Sequence, residues 1–394
     1  MTGSASGPTL MGAEPPRALY LHFPFCVHRC HYCDFSVKRS AAPPVAEWLE
    51  LLDAELGWWF DRAGWARPIR LDTIFVGGGT PSLAGRDGPS GLAAVLAARF
   101  DLSDPGLEWT VEANPASLDE GVAAAWLEAG ATRISIGVQA LDDGALRWLG
   151  RLHDRRGAID AIARARSAGF RSVSMDLLFG LPEDVPRDLA AEIETALAAG
   201  IDHASAYGLT IEPRTPLARR VELGHVRPPP GRRYEAEYRL VSDRLVSGGL
   251  AHYEVSSFAR PGHECRHNWY YWNRSPYLGA GPSAHGFLPP FRIWNAFRWD
   301  RYRESVRSGS GPVEGWERLE AADDRLERLW LGLRTRKGVA RADAPERIGR
   351  SLSVWTEAGW ILEERGILKA TVDGWLRLDA LVAEIDAMSE GSPR

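Results

Sequence analysis

Residues 20–35 read Tyr20-Leu21-His22-Phe23-Pro24-Phe25-Cys26-Val27-His28-Arg29-Cys30-His31-Tyr32-Cys33-Asp34-Phe35, and the rest of the reading is organised around them. Three of the chain's four cysteines fall within these residues, and the fourth, Cys265, stands far away. In a chain of 394 residues so few cysteines do not make a disulfide framework, so their clustering argues for a metal site. Thiolates prefer soft metals, which makes zinc and iron–sulfur clusters the main candidates. A structural zinc ion takes four ligands, and His28 or His31 could complete such a set. The C-x3-C-x2-C spacing fits better with three corners of a [4Fe–4S] cube, whose fourth iron is then free to bind a small molecule.

The run before the first cysteine, residues 19–23, has the length of a strand and begins an alternation that continues to about Phe258. Val45, Trp48, Leu49, Leu52, Leu56 and Trp59 then recur at helical spacing. Further strands are expected at 73–76, stopped by Gly77-Gly78-Gly79, at 109–113, stopped by Asn114-Pro115, and at 134–138. Two more are expected at 173–179, before Gly180-Leu181-Pro182, and at 203–211, before Glu212-Pro213. Helical stripes such as Leu189, Ile193 and Leu197, or Tyr234, Tyr238, Val241 and Leu245, fill the gaps. Strands alternating with helices predict parallel βαβ units. Six units fall short of the eight of a closed TIM barrel, so the expected fold is α/β, a partial (β/α)6 TIM-like barrel.

In such folds function gathers at the carboxyl ends of the strands. The cysteines, the triple glycine, Glu112, Gln139, Asp176 and the region of Tyr207 all fall within or just after expected strands. Turn chemistry explains the glycines and prolines there. It does not explain three cysteines and several carboxylate or amide groups on one rim.

After about Gly311 the pattern changes. Leu326, Leu329, Trp330 and Leu333 mark a helix, and residues 348–358 another. Runs at 367–371 and 375–378 flank Asp373-Gly374, a hairpin signal, and a last helix is expected at 381–388. This predicts a small helical, winged-helix-like domain over 311–394, behind a barrel over 17–260 and a connecting segment over 261–310. Residues 1–16 read as a disordered lead-in and not as a signal peptide. A net charge of −5 gives no electrostatic footprint for nucleic-acid binding. No apolar run approaches the length of a membrane span, so a cytoplasmic protein is expected.

The cysteine spacing resembles the signature of the radical SAM superfamily. The resemblance implies a cluster on Cys26, Cys30 and Cys33 whose open iron is chelated by the amino and carboxylate groups of S-adenosylmethionine (SAM). The motifs Tyr20-Leu-His-Phe-Pro-Phe, Gly77-Gly78-Gly79-Thr80-Pro81-Ser82, Glu112-Ala-Asn-Pro, Ser135-Ile-Gly-Val-Gln139, Asp176-Leu-Leu-Phe-Gly-Leu-Pro and Ala206-Tyr-Gly-Leu-Thr-Ile-Glu-Pro occur in this order. Together they resemble the oxygen-independent coproporphyrinogen III oxidase-like family. That likeness implies that Tyr20, Gly78 and Glu112 approach the first SAM. It also places Tyr32, Gly79, Thr80, Gln139, Arg151 and Asp176 where the oxidase binds a second, although Arg151 and Asp176 could instead form a structural ion pair.

Two departures separate the chain from the oxidase: the likeness includes no longer N-terminal extension, and Phe35 stands where a further cysteine would be. Both resemble the heme-chaperone group, as does His267-Asn268-Trp-Tyr-Tyr271-Trp272, which matches its His-Asn-x-x-Tyr-Trp motif and precedes Tyr277-Leu-Gly-Ala-Gly-Pro-Ser-Ala-His285-Gly. The resemblance implies heme as cargo and apo-hemoproteins such as respiratory enzymes as partners, with peripheral membrane contact through those acceptors and room for a homodimer. His267, Asn268, Tyr271 and Trp272 are the expected heme contacts; the alternative is that His267 and Asn268 hydrogen-bond a turn while Trp272 packs the core. Cys265 is expected to be an inert buried thiol before a heme ligand. The competing functions are the oxidase itself and a related radical SAM methyltransferase.

Overall fold

The computed structural model describes residues 2–3 and 7–390. Six strands pair in parallel in chain order: β1 (Ala18–Phe23), β2 (Thr73–Gly78), β3 (Glu108–Ala113), β4 (Arg133–Gln139), β5 (Ser172–Phe179) and β6 (His203–Gly208). A crossover helix follows each, from Val45–Ala63 after β1 to Gly231–Ser247 after β6. Three of these helices start on an aspartate whose carboxylate accepts an orphan backbone N–H: Asp119 from Val122, Asp154 from Gly157 and Asp188 from Ala191. The strands are apolar on both faces because helices cover one face and the barrel interior takes the other. Trp48, Trp59, Trp109 and Trp126 are fully buried between these layers. The partial (β/α)6 barrel is therefore as expected.

The sheet does not stop at six strands. Beyond β6 it adds β7 (Ala251–Glu254) and β8 (Ser257–Ala259), both antiparallel. At the other edge β9 (Tyr277–Ala280) pairs in parallel with β1, and β10 (His285–Leu288), β11 (Phe291–Asn295) and β12 (Val313–Arg318) continue as an antiparallel meander. The segment expected as a connector over 261–310 thus forms the wall beside β1. The expected boundary at 311 falls inside this extension, since β12 belongs to the same sheet. Four-residue strands interrupted by glycine carry too little periodicity to be read from sequence.

One buried carboxyl ties that wall to the barrel. Glu55, on helix Val45–Ala63, accepts hydrogen bonds from Trp59 Nε1 (3.1 Å), the Gly281 backbone N–H (2.7 Å), Asn295 Nδ2 (2.7 Å) and the Tyr302 hydroxyl (2.6 Å). Burial raises its pKa, and the donors oppose that shift.

The C-terminal region is helical around a small sheet of β13 (Val339–Ala340), β14 (Ile361–Glu364) and β15 (Ile367–Ala370), as a winged-helix-like unit requires. Its hairpin turns at Arg365-Gly366, both at positive φ (52° and 76°), and not at Asp373-Gly374. Thr371 captures that pair instead: its Oγ1 accepts the Gly374 N–H at 3.1 Å and caps the short helix Val372–Trp375. The expected disordered lead-in also needs correction where it is described. Leu10 is buried, Trp65 Nε1 donates to the Ala13 carbonyl at 2.8 Å, and Arg62 Nη2 donates to the Gly7 carbonyl at 3.2 Å. Met1 and residues 4–6 lie outside the described residues. Among the described residues no helix is long and apolar enough to cross a membrane.

Truncating Glu55 leaves the Gly281 N–H and the Tyr302 hydroxyl buried without an acceptor and takes from Asn295 Nδ2 one of its two acceptors. Glu55→Ala should cost about 3 kcal/mol or more of stability, read as a lower urea midpoint with the secondary structure at zero denaturant unchanged. An unaltered midpoint would show that this carboxyl does not hold the wall.

Candidate functional site

The carboxyl ends of β1–β6 open into a cavity of about 610 Å³ bordered by Cys26, Cys30 and Cys33. That is ample for a small-molecule or cofactor site. The loop carrying the cysteines is held against the end of β2 by backbone bonds: the Gly79 N–H donates to the Phe23 carbonyl at 2.7 Å and the Thr80 N–H to the Phe25 carbonyl at 2.8 Å. The fit admits no side chain at residue 79, where a Cβ would stand 2.6 Å from the Phe25 oxygen. At Gly78, with φ +105°, a Cβ would stand 2.4 Å from the His22 ring.

Thr80 Oγ1 lies 3.2 Å from Cys26 Sγ, and Arg151 Nη1 donates to Cys30 Sγ at 3.5 Å. Arg151 Nη2 also donates to the Gly137 carbonyl at 2.6 Å, while its Nε is buried without a partner. Burial pushes the Cys26 thiol up to about 11 and raises that of Cys33. A bound metal reverses this, because a coordinating thiol is deprotonated outright. Among the described residues no three His, Cys, Asp or Glu side chains form a group that could hold a metal ion. His31, a candidate fourth zinc ligand, spends Nε2 on the Trp148 carbonyl at 2.6 Å. Three thiols spread along one roomy cavity fit the corners of a cluster better than the ligands of a single zinc ion.

Two carboxyls face the same space. Burial, then the charge of Asp176, pushes Glu112 up to about 8, against a backbone hydrogen bond from Gly78 (3.0 Å to Oε2). Burial pushes Asp176 up to about 6, while Ser135 Oγ donates to it at 3.0 Å. Arg151 and Asp176 form no salt bridge: each is held by other groups, so the ion-pair alternative is set aside. Gln139 ends β4 at φ +72°, beside a register shift between β4 and β5. A non-glycine residue held there is strained, and the bulge aims its side chain at the cavity. Acceptors for a cation thus stand with an unsatisfied guanidinium N–H for an anion. This suits a zwitterionic amino-acid moiety, and an arriving cation would favour ionised Glu112.

Tyr32, Gly78, Gly79, Thr80, Glu112, Gln139, Arg151, Asp176 and Asn268 all border this cavity with the cysteines. Tyr20 does not. Its hydroxyl shares a 3.0 Å hydrogen bond with His22 Nδ1, its ring stacks on Phe75, and it borders an adjoining cavity of about 410 Å³. The heme contacts expected on helix Arg266–Trp272 also need correction. His267 is fully buried, with Nδ1 bonded to Thr73 Oγ1 and Nε2 to the Tyr271 hydroxyl, both at 2.8 Å. Trp272 lies under the Arg334 guanidinium at 4.5 Å. Neither ring nitrogen of His267 is free for iron. Cys265 is buried, with its thiol pushed up to about 12, as an inert thiol should be. Sequence reasoning assigned no role to Ser135 or Tyr207, which also border the main cavity, although both lie in strand-end motifs.

The sequence profile of the family described as the Radical SAM superfamily matches residues 20–196. The chain is 40% identical over 337 residues to a protein named heme chaperone HemW from Mycobacterium tuberculosis, covering 84% of this chain and 85% of that one. Proteins of the same name from Bacillus subtilis (34%; 85% and 88% covered) and Escherichia coli K12 (32%; 90% and 96% covered) are also similar. Among solved structures, the radical SAM enzyme coproporphyrinogen III oxidase (HemN) from Escherichia coli superposes with a TM-score of 0.80 over 98% of this chain and 92% of that one. At 19% identity this is a likeness of fold alone. These matches place the chain in the radical SAM superfamily, and within it the chain belongs to the family of the proteins named heme chaperone HemW.

The raised acids set a pH dependence. Folded Glu112 keeps until about 8 a proton that an unfolded glutamate, near 4.5, has already lost. At this group the folded state therefore binds more protons in that window, and its contribution to stability falls as pH rises through it. Asp176 adds a similar slope only up to about 6. Between pH 6 and 8 the thermal midpoint of cofactor-free wild type should fall relative to that of Glu112→Gln; the histidines whose pKa burial lowers act in the opposite sense, but equally in both proteins. Parallel curves for the two proteins would refute the raised carboxyl.

Proposed function

We propose that the chain carries heme as cargo and passes it to apo-hemoproteins such as respiratory enzymes, with a SAM-binding [4Fe–4S] cluster on Cys26, Cys30 and Cys33. The observation that carries this reading is residue 35. Where the oxidase of the resembled branch has a further cysteine, this chain has Phe35, 58% exposed beside the cluster loop. The names of the relatives, over most of their length, support the same choice.

When bound, the cluster supplies an open iron for the amino and carboxylate groups of SAM. The chain's own residues do the rest. Glu112 accepts the SAM amino group beside the Gly78 backbone, and Arg151 offers its unsatisfied N–H to a carboxylate. Tyr32, Gly79, Thr80, Gln139 and Asp176 leave room for a second SAM. A cytoplasmic chain that meets membranes only through its acceptors, and that forms homodimers, goes with this role.

Reconstituted protein incubated anaerobically with SAM, reductant and coproporphyrinogen III should form no protoporphyrinogen, yet heme-loaded protein should transfer heme to an apo-acceptor. Protoporphyrinogen formed over many turnovers would replace the chaperone reading with the oxidase. Cys26→Ala, Cys30→Ala and Cys33→Ala should each abolish the brown cluster absorbance, and Cys265→Ala should keep it. Loss of absorbance in the Cys265 variant alone would overturn the cluster assignment.

A further inference from the structure

We propose that the 410 Å³ cavity beside the cluster loop is where heme docks, with His285 as the ligand to its iron. This rests on the heme-chaperone reading and gives that reading a place other than His267.

The histidines narrow the choice. His22, His203, His252 and His267 spend both ring nitrogens on hydrogen bonds within the protein. His31 and His153 spend one each, and their other nitrogen is buried. His285, at the start of β10, is exposed, and its ring makes no hydrogen bond to any described residue. His28 and His225 are exposed too, but His28 borders the cysteine cavity instead and His225 borders neither cavity, nor does His263, whose Nδ1 is buried without a partner. The His285 ring is oriented by near-parallel packing on Trp294, at 6.2 Å and 25°. Desolvation, then the charge of Arg292, lowers its pKa and so favours the neutral imidazole that binds iron.

The cavity wall suits a flat conjugated ligand. Phe35 and Phe297 both border it and are 58% and 50% exposed, although large aromatics are costly to leave in water. They come from distant parts of the sequence, and a hydrogen bond from Ser36 Oγ to the Phe297 carbonyl holds their two segments together. Tyr271 and Tyr277 line the same space. Asp34, Phe35 and Gly78 border both cavities, so a ligand here touches the loop that carries the cluster cysteines.

The test is titration of the full-length protein with hemin, read by its Soret band in the ferric and ferrous states. Wild type should show a histidine-ligated spectrum. His285→Gly should bind roughly tenfold or more weakly, the low end of what disturbing a metal's surroundings costs, and should lose that spectrum. Added imidazole should restore both. A His285→Gly protein that binds hemin with wild-type affinity and spectrum overturns this site while leaving the chaperone reading standing. A loss that imidazole does not repair also overturns it, because the defect is then structural. If wild type takes up no hemin at all, the chaperone reading falls together with the site.

Discussion

Where Gly79 passes the carbonyls of Phe23 and Phe25, there is no room for a side chain, and the rest of the site is built on that contact. The end of β2 and the start of the cysteine loop are pressed together there by two backbone hydrogen bonds. Thr80 is thereby brought to Cys26, and Gly78, turned to positive φ against the His22 ring, presents its N–H to Glu112. Three residues that look like simple turn punctuation in the sequence, Gly78, Gly79 and Thr80, thus set the spacing between a strand end, a thiol and an acid. A single added methyl group at residue 79 would have to move the loop, and with it Cys26, Cys30 and Cys33.

Much of this was legible in the sequence. The six parallel strands could be read because each apolar run ends in strong punctuation, and their carboxyl ends converge because βαβ units admit one handedness. Eight of the nine residues implied for SAM border one cavity for that reason. What could not be read depended on which of several hydrogen-bond partners, near or far in the chain, a side chain takes. His267 carries a metal ligand's chemistry, but Thr73, 194 residues distant, claims one nitrogen and leaves the other to Tyr271. Tyr20 has the right strand and the right end, but its hydroxyl turns to His22. Asp373-Gly374 has the chemistry of a tight hairpin, but Thr371 two positions earlier offers a helix cap first. In each case a local pattern was overruled by a competing hydrogen bond that sequence spacing does not reveal.

The cavity's electrostatics follow from burial. Without cofactors Glu112 is held at about 8 and the Cys26 thiol at about 11, so both keep their protons near neutral pH. Cofactor binding inverts both, since metal demands thiolates and a cationic amino group favours a carboxylate. Loading the site is therefore linked to proton release. The charge of Arg151 acts in the same direction on Cys26, opposing the rise that burial causes.

Glu55 has a mechanical consequence. It belongs to the first crossover helix, but its donors come from the loop after β9, the end of β11 and the helix Trp299–Arg307. Prising these elements apart would strand a carboxyl and three donors away from water, so they behave as one rigid frame. The wall beside β1 is therefore fixed, not a door. Anything that enters or leaves next to the cluster loop must pass by movement of surface loops and exposed rings, while the frame behind them stays still.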